Sequence, residues 1–250
     1  MSVTTLKAPT TRRPLLIVIA IVLALAAGLY FSGNWPRMGA QLIHEPVSQP
    51  LGAAARADIQ IGIGVGQLQI GALDQPSNLI AGVIAYQDQN SLTRAFAVHD
   101  ATASFTLREQ NSQANSLIKH SDDDAIWDLR LNPATPLRLT LVSDVGNSTI
   151  DLAQLHVTDL DLKTGVGNTT LTLPLQGQVQ ANVHGGVGNT TISIPAGVAA
   201  RLSLSTGLGS VNVPSTYRQE GNVYVSPDFA SAANRVDLTV SSRGGNNTIK

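Results

Sequence analysis

Cysteine is absent from this sequence, so no disulfide, thiolate metal site, cysteine nucleophile or cysteine-linked lipid can be built from it. Charge is scarce as well. Asp, Glu, Lys and Arg make up 13% of the 250 residues, and 16 basic against 17 acidic side chains leave a net charge of -1. That balance supplies no basic face for nucleic acid, and no nucleic-acid partner is expected. The five histidines, His44, His99, His120, His156 and His184, show no HExxH or other ligand spacing and read as surface residues. No Ser/His/Asp set stands out. The acidic run Ser121–Asp124 follows a polar stretch and reads as a solvated loop. No enzymatic activity, metal or cofactor is expected, and no catalytic or binding residue can be named.

One long apolar run is present. Leu15–Phe31, LLIVIAIVLALAAGLYF, carries no charge. At about 1.5 Å per residue it spans roughly 25 Å, the short end of a bilayer crossing. Lys7, Arg12 and Arg13 precede it, Arg37 alone follows closely, and Tyr30 and Trp35 stand where interfacial aromatics lie. The positive-inside bias places residues 1–14 in the cytoplasm, a single-pass anchor at 15–33 and residues 34–250 outside the cell membrane, with the lipid bilayer as a partner. Ala24-Leu25-Ala26 has the A-x-A form, so the segment also fits a signal peptide removed on export, leaving a secreted chain. Either way the remainder is exported.

The exported part repeats. GVGNTT occurs at Gly165–Thr170 and again at Gly186–Thr191, and the glycines Gly146, Gly167, Gly188 and Gly209 stand 21 residues apart. Val145, Val166, Val187 and Leu208 precede them; Asn147, Asn168, Asn189 and Ser210 follow. Leu139, Leu160, Ala181 and Leu202 form a column, as do Leu141, Leu162, Val183 and Leu204, and Ile150, Leu171, Ile192 and Val213. Apolar and polar positions alternate on both sides of the turn, the period of strands. Outlying copies with Gly66 and Gly245 bring the count to six. A fixed period of about 21 residues with strand–turn–strand content predicts an all-β, β-solenoid-like stack, each rung about 4.8 Å above the last. The glycines serve a corner with positive φ. Asn147, Asn168 and Asn189 are expected to stack as an amide ladder, each side chain bonding the next.

That architecture competes with three chemical readings of GVGNTT. A phosphate loop needs a Lys that is missing here, and a dinucleotide turn needs a third glycine where Thr170 and Thr191 stand, so no nucleotide is expected. The calcium nonapeptide needs an Asp where Thr190 stands. The Asn-x-Ser/Thr sequons at Asn147, Asn168, Asn189 and Asn246 arise from the turn pattern itself. Asp144, Asp151, Asp159 and Asp161 lie near the repeat faces in different columns, which builds no paired-acid site. The threonines of the second strand read as a solvated β-face.

The expected organisation is a linker at 34–57, marked by Pro36, Pro46 and Pro50; an N-terminal β region at 58–136, made of the first rung and a strand insertion beside it; and the repeat proper at 137–250. A hairpin insertion at 214–235, with its tip at Glu220-Gly221-Asn222, is expected to cover an end of the stack.

The stretch WDLRLNPATPLRLTLVSDVGNSTIDLAQLHVTDLDLKTGVGNTTLTLP resembles the toast-rack domains of bacterial envelope proteins, and GLGSVNVPSTYRQEGNVYVSPDFASAANRVDLTVSSRGGNNTI resembles the related LiaF-like carboxyl domain. The resemblance covers about residues 58–250. It implies a β-solenoid-like stack and no enzymatic site. LiaF-like relatives are membrane proteins with several membrane segments that restrain an envelope-stress sensor kinase, whereas this chain has one such segment. The function expected is non-enzymatic binding or scaffolding in the cell envelope, in stress signalling; the alternatives are an adhesin-like module binding polysaccharide or an envelope protein, and a polysaccharide-acting enzyme.

Overall fold

The computed structural model describes residues 42–75, 77–88, 90–110 and 125–250. The expected tail and anchor at 1–33, the run Ser121–Asp124 and His120 lie outside the described residues. Ala40–Lys250 is one compact unit. Among the described residues there is no helix, so none long and apolar enough to cross a membrane. The strands form one nine-stranded and one ten-stranded sheet that share a single apolar core.

Three successive rungs set the pattern. Each gives a long strand to the ten-stranded sheet and a short one to the nine-stranded sheet: β8 (Leu137–Val145) with β9 (Ser148–Asp151), β10 (Val157–Val166) with β11 (Thr169–Thr172), and β12 (Gln178–Val187) with β13 (Thr190–Ser193). Neighbouring rungs pair in parallel and in register. Leu162 therefore lies between Leu141 and Val183, and Leu171 between Ile150 and Ile192, all buried. Alternation does the sorting: period 2 sends one set of side chains inward and the other to water. Thr170 is exposed and Leu171 buried, as the expected register requires.

The corner glycines form a second continuous column. Gly167 has φ 141 and Gly188 φ 148. A Cβ on Gly167 would stand 2.0 Å from the carbonyl oxygen of Gly146, and one on Gly188 would stand 1.9 Å from that of Gly167. The corner excludes side chains twice over, through backbone conformation and through the rung beneath.

The asparagine ladder differs from expectation. The carboxamides do not bond one another. Asn147 Oδ1 accepts from the Asn168 backbone N–H (2.9 Å), Asn168 Oδ1 from that of Asn189 (3.0 Å), and Asn189 Oδ1 from that of Asn246 (3.0 Å). Each side chain thus satisfies a corner N–H of the next rung. Asn168→Ala is expected to cost about 1 kcal/mol and to speed exchange of the Asn189 amide, read by thermal melting and hydrogen exchange.

Rung order is also not sequence order. β18 (Arg235–Gly244) and β19 (Asn247–Ile249) insert between the rung of β12 and β13 and that of β14 (Ala199–Leu208) and β15 (Val211–Asn212). Val240, not Leu204, follows Val183 in the core column. The ladder accounts for this order. Ser210 donates its N–H (3.2 Å) and its hydroxyl (2.8 Å) to Asn246 Oδ1, and it carries no carboxamide to offer a further rung. The rung with Asn246 can sit inside the stack; the rung with Ser210 ends it.

Two further expectations are corrected at the other end. The insertion is not a sheet beside the first rung, β2 (Arg56–Val65) and β3 (Gln67–Ala72). Its strands β6 (Thr102–Gln110) and β7 (Ile126–Leu131) make a seventh rung beneath it, pairing in parallel with β2 and β3. Phe105 continues the Ile59 column, and fully buried Trp127 donates Nε1–H to the Ala85 carbonyl (3.1 Å). The expected linker likewise holds β1 (Leu42–Pro50), antiparallel to β4 (Asn78–Gln87), with Val47 buried. Its prolines suit an edge strand, where a missing N–H faces no partner.

The hairpin of β16 (Arg218–Glu220) and β17 (Val223–Val225) turns at Gly221 and pairs with β14 at that end of the ten-stranded sheet. At the opposite end β5 (Ser91–His99) pairs with β6 and forms the edge of the same sheet. There Tyr86 on β4 donates to Glu45 on β1 (3.1 Å), and Arg94 on β5 pairs with the same carboxylate (3.5 Å). Partial desolvation and then the Glu45 carboxylate hold the Tyr86 pKa above its usual value.

Candidate functional site

The residues that carry chemistry are dispersed. His44, His99, His156 and His184 are all exposed, on different strands and loops. Asp159 pairs with Arg138 (3.6 Å) and Asp161 with Lys163 (3.2 Å), while Asp151 Oδ1 accepts from the Ala153 N–H (3.0 Å). One acid that sequence reasoning passed over, Asp237, pairs with Arg201, whose guanidinium also lies over the Phe229 ring at 5.0 Å. Register arranges Asp58, Arg138, Asp159, Gln180, Asp237 and Arg201 as one column on the outer face of the ten-stranded sheet, so opposite charges meet across strands. Among the described residues no three His, Asp or Glu side chains gather into a metal-binding group.

The threonine face is longer than the sequence suggests. Because β19 enters the stack, Thr149, Thr170, Thr191 and Thr248 form one column four rungs high. The adjacent column holds Asp151, Thr172 and Ser193, so the array has no matching second row.

The most distinctive surface lies at the glycine corner. Val145, Val166 and Val187 stack in register on successive rungs and are 41%, 55% and 57% exposed. Leu208, on the terminal rung, is 79% exposed. The cause is geometric. Each is the last residue before a corner glycine, where the chain turns out of the sheet, so alternation no longer carries its side chain into the core. An aliphatic ridge therefore runs up the stack. Beside it lies an open concavity of about 610 Å³ whose floor is the backbone of Gly165 and Gly186. A Cβ at Gly165 would stand 2.1 Å from the Asp144 carbonyl oxygen, so this floor is bare because the rungs touch there. Asp144 lies at one end of the trough and Arg243 at the other, with Lys163 and His184 along one wall. His184 Nδ1 lies 2.9 Å from Ser241 Oγ. A second concavity of about 590 Å³ lies among the loops that carry Pro133, His156, Gly177 and Asn234. There Asn234 Oδ1 accepts from the Gly177 N–H (3.0 Å), an internal tie between two turns.

The ridge was present in the sequence as part of the column Val145, Val166, Val187 and Leu208, which Gly244 interrupts in the stack between Val187 and Leu208. Its exposure was not legible there, because alternation alone does not say on which side of the sheet boundary a residue falls. The trough joins residues from four rungs, one of them out of order.

No curated protein matches this chain at a meaningful level of similarity. Solved structures similar to it include the following two. One, described as a "putative cell adhesion protein" from Clostridium sporogenes, is 21% identical, covers 84% of this chain and 99% of its own, and superposes with a TM-score of 0.74. The other, described as a "putative adhesin" from Bacteroides fragilis, is 14% identical over 84% of this chain and 98% of its own, with a TM-score of 0.32. The first shares the fold. The family model described as the N-terminal domain of toast_rack, DUF2154, matches residues 39–193, a span that begins just before β1 and ends with β13, and on that match the chain belongs to the toast-rack family.

Proposed function

We propose that this chain is a membrane-anchored, non-enzymatic binding or scaffold module of the bacterial cell envelope, acting in envelope-stress signalling. The observation that carries the reading is the exposed ridge of Val145, Val166 and Val187 beside the trough between Asp144 and Arg243. Aliphatic side chains at these exposures are a liability unless something covers them part of the time, and charges at the two ends of the trough orient what docks. The pattern favours a protein partner. Export follows from the uncharged run Leu15–Phe31 and the basic residues before it.

A second reading is an adhesin-like module that binds polysaccharide. The four-rung threonine column favours it, since a row of hydroxyls at strand spacing can meet a polymer. The solved structure of the same fold carries a cell-adhesion description, which belongs to that protein.

A photo-crosslinking residue placed at Val166 or Val187 in the full chain, expressed in bacteria, tests the first reading. A discrete envelope protein should be captured from both positions and lost when Arg243 is changed to Glu. Capture that is no stronger than from Thr170 would remove the ridge as the binding surface. Retention on insoluble wall polysaccharide that is lost in Thr170→Lys but not in Val166→Asp would favour the second reading.

A further inference from the structure

We propose that the outer edge of β5, unpaired among the described residues, joins two copies of this chain through an antiparallel, two-fold strand pair centred on Ala95. A sheet edge carries a row of unpaired backbone donors and acceptors, and folds that stay monomeric blunt it. Among the described residues, three of the four sheet edges are blunted. β15 is two residues long, β16 is three residues long and all exposed, with Arg218 and Glu220 paired to each other (3.0 Å), and β1 carries Pro46 and Pro50, which remove donors from its free side. β5 is as long as β1, nine residues, but it is free of proline and exposed along most of its length.

The side chains of β5 argue for a second copy. Phe96 and Val98 stand opposite Phe105 and Ala103, both buried, and so belong to the inward face, yet they are 38% and 47% exposed because the core stops at this strand. A two-fold pair centred on Ala95 would align all nine residues from Ser91 to His99. It would set Arg94 against Phe96 of the other copy and Leu92 against Val98, a cation–π contact and an aliphatic contact, each occurring twice. No like charges would oppose each other. The apolar columns of the two cores would become continuous across the joint. A register centred on Phe96 would instead place Leu92 against Asp100 and shorten the ladder into the turn at Asp100 and Ala101, whose φ values are positive. Self-complementarity thus favours Ala95, the midpoint of the strand.

The absence of native cysteine makes the test direct. The buried core of the described residues lies between Val47 and Ile249, so residues 40–250 carry their own core and can be studied alone. Across a concentration series reaching about 100 μM, sedimentation should show a monomer–dimer equilibrium. Phe96→Arg, which opposes Arg94 of the other copy, should abolish the dimer while the thermal midpoint of the monomer holds. Ala95→Cys should cross-link to itself under mild oxidation, because directly opposed Cβ atoms lie about 4.5–5.5 Å apart. Thr93→Cys and Ala97→Cys should cross-link with each other in a mixture and poorly alone. A strictly monomeric protein, or efficient self-linking of Ala97→Cys in place of Ala95→Cys, would overturn the proposal. The first outcome would leave this edge to a strand of another protein, the second to a different register.

Discussion

Leu162→Asp should unfold the stack or lower its stability by several kcal/mol, roughly 3–5. Leu162 is fully buried between Leu141 and Val183, and the rungs around it pair in register. A carboxylate there meets only aliphatic neighbours, with no cation or donor to offset its desolvation. Thr170→Asp, eight residues on and exposed beside Thr149 and Thr191, should change stability by less than about 0.5 kcal/mol. Thermal melts of the two variants decide the matter: equal midpoints would mean that the inward and outward faces are misassigned.

Gly167→Ala should be nearly as damaging, by roughly 2–4 kcal/mol, with a midpoint lower by about 5–15 °C. Two causes add. The residue has φ 141, where a side chain is strained, and its Cβ would lie 2.0 Å from the Gly146 carbonyl oxygen, so two rungs would have to move apart. Gly177→Ala separates the causes. Gly177 has φ 98, and a Cβ added there would meet nothing within 4 Å, so it reports backbone strain alone, about 1 kcal/mol. Matching losses at the two positions would show that contact between rungs contributes nothing.

These two variants bear on what could be read without a structure. The inward face was legible residue by residue, from Leu139 to Ile192, because a strand has a period of 2 and the repeat has a period of 21, and together they leave one register. The corner glycines were legible for the same reason, since a residue recurring at every turn where a side chain would be excluded marks a conformational need. The candidate surface was legible only in part. Val145, Val166 and Val187 formed a visible column, but the same valines would be core if the sheet ran one residue further. Asp237, in the outlying last copy, was passed over; the register sets it between Gln180 and Arg201.

The chain's own residues determined the class of fold, the period, the inside of the stack and its glycine corners, because each follows from local geometry repeated in register. Only the tertiary structure decided which rung lies on which. Parallel pairing between rungs is non-local, and every rung presents nearly the same apolar columns, so burial alone ranks the orders almost equally. The discrimination rests on single groups: Asn246 can pass the ladder on and Ser210 cannot, which puts the last rung inside the one before it. The same non-local pairing turned Thr102–Gln110 and Ile126–Leu131 into one rung despite the long connection between them, and drew Leu42–Pro50 out of an expected tether into the edge of a sheet.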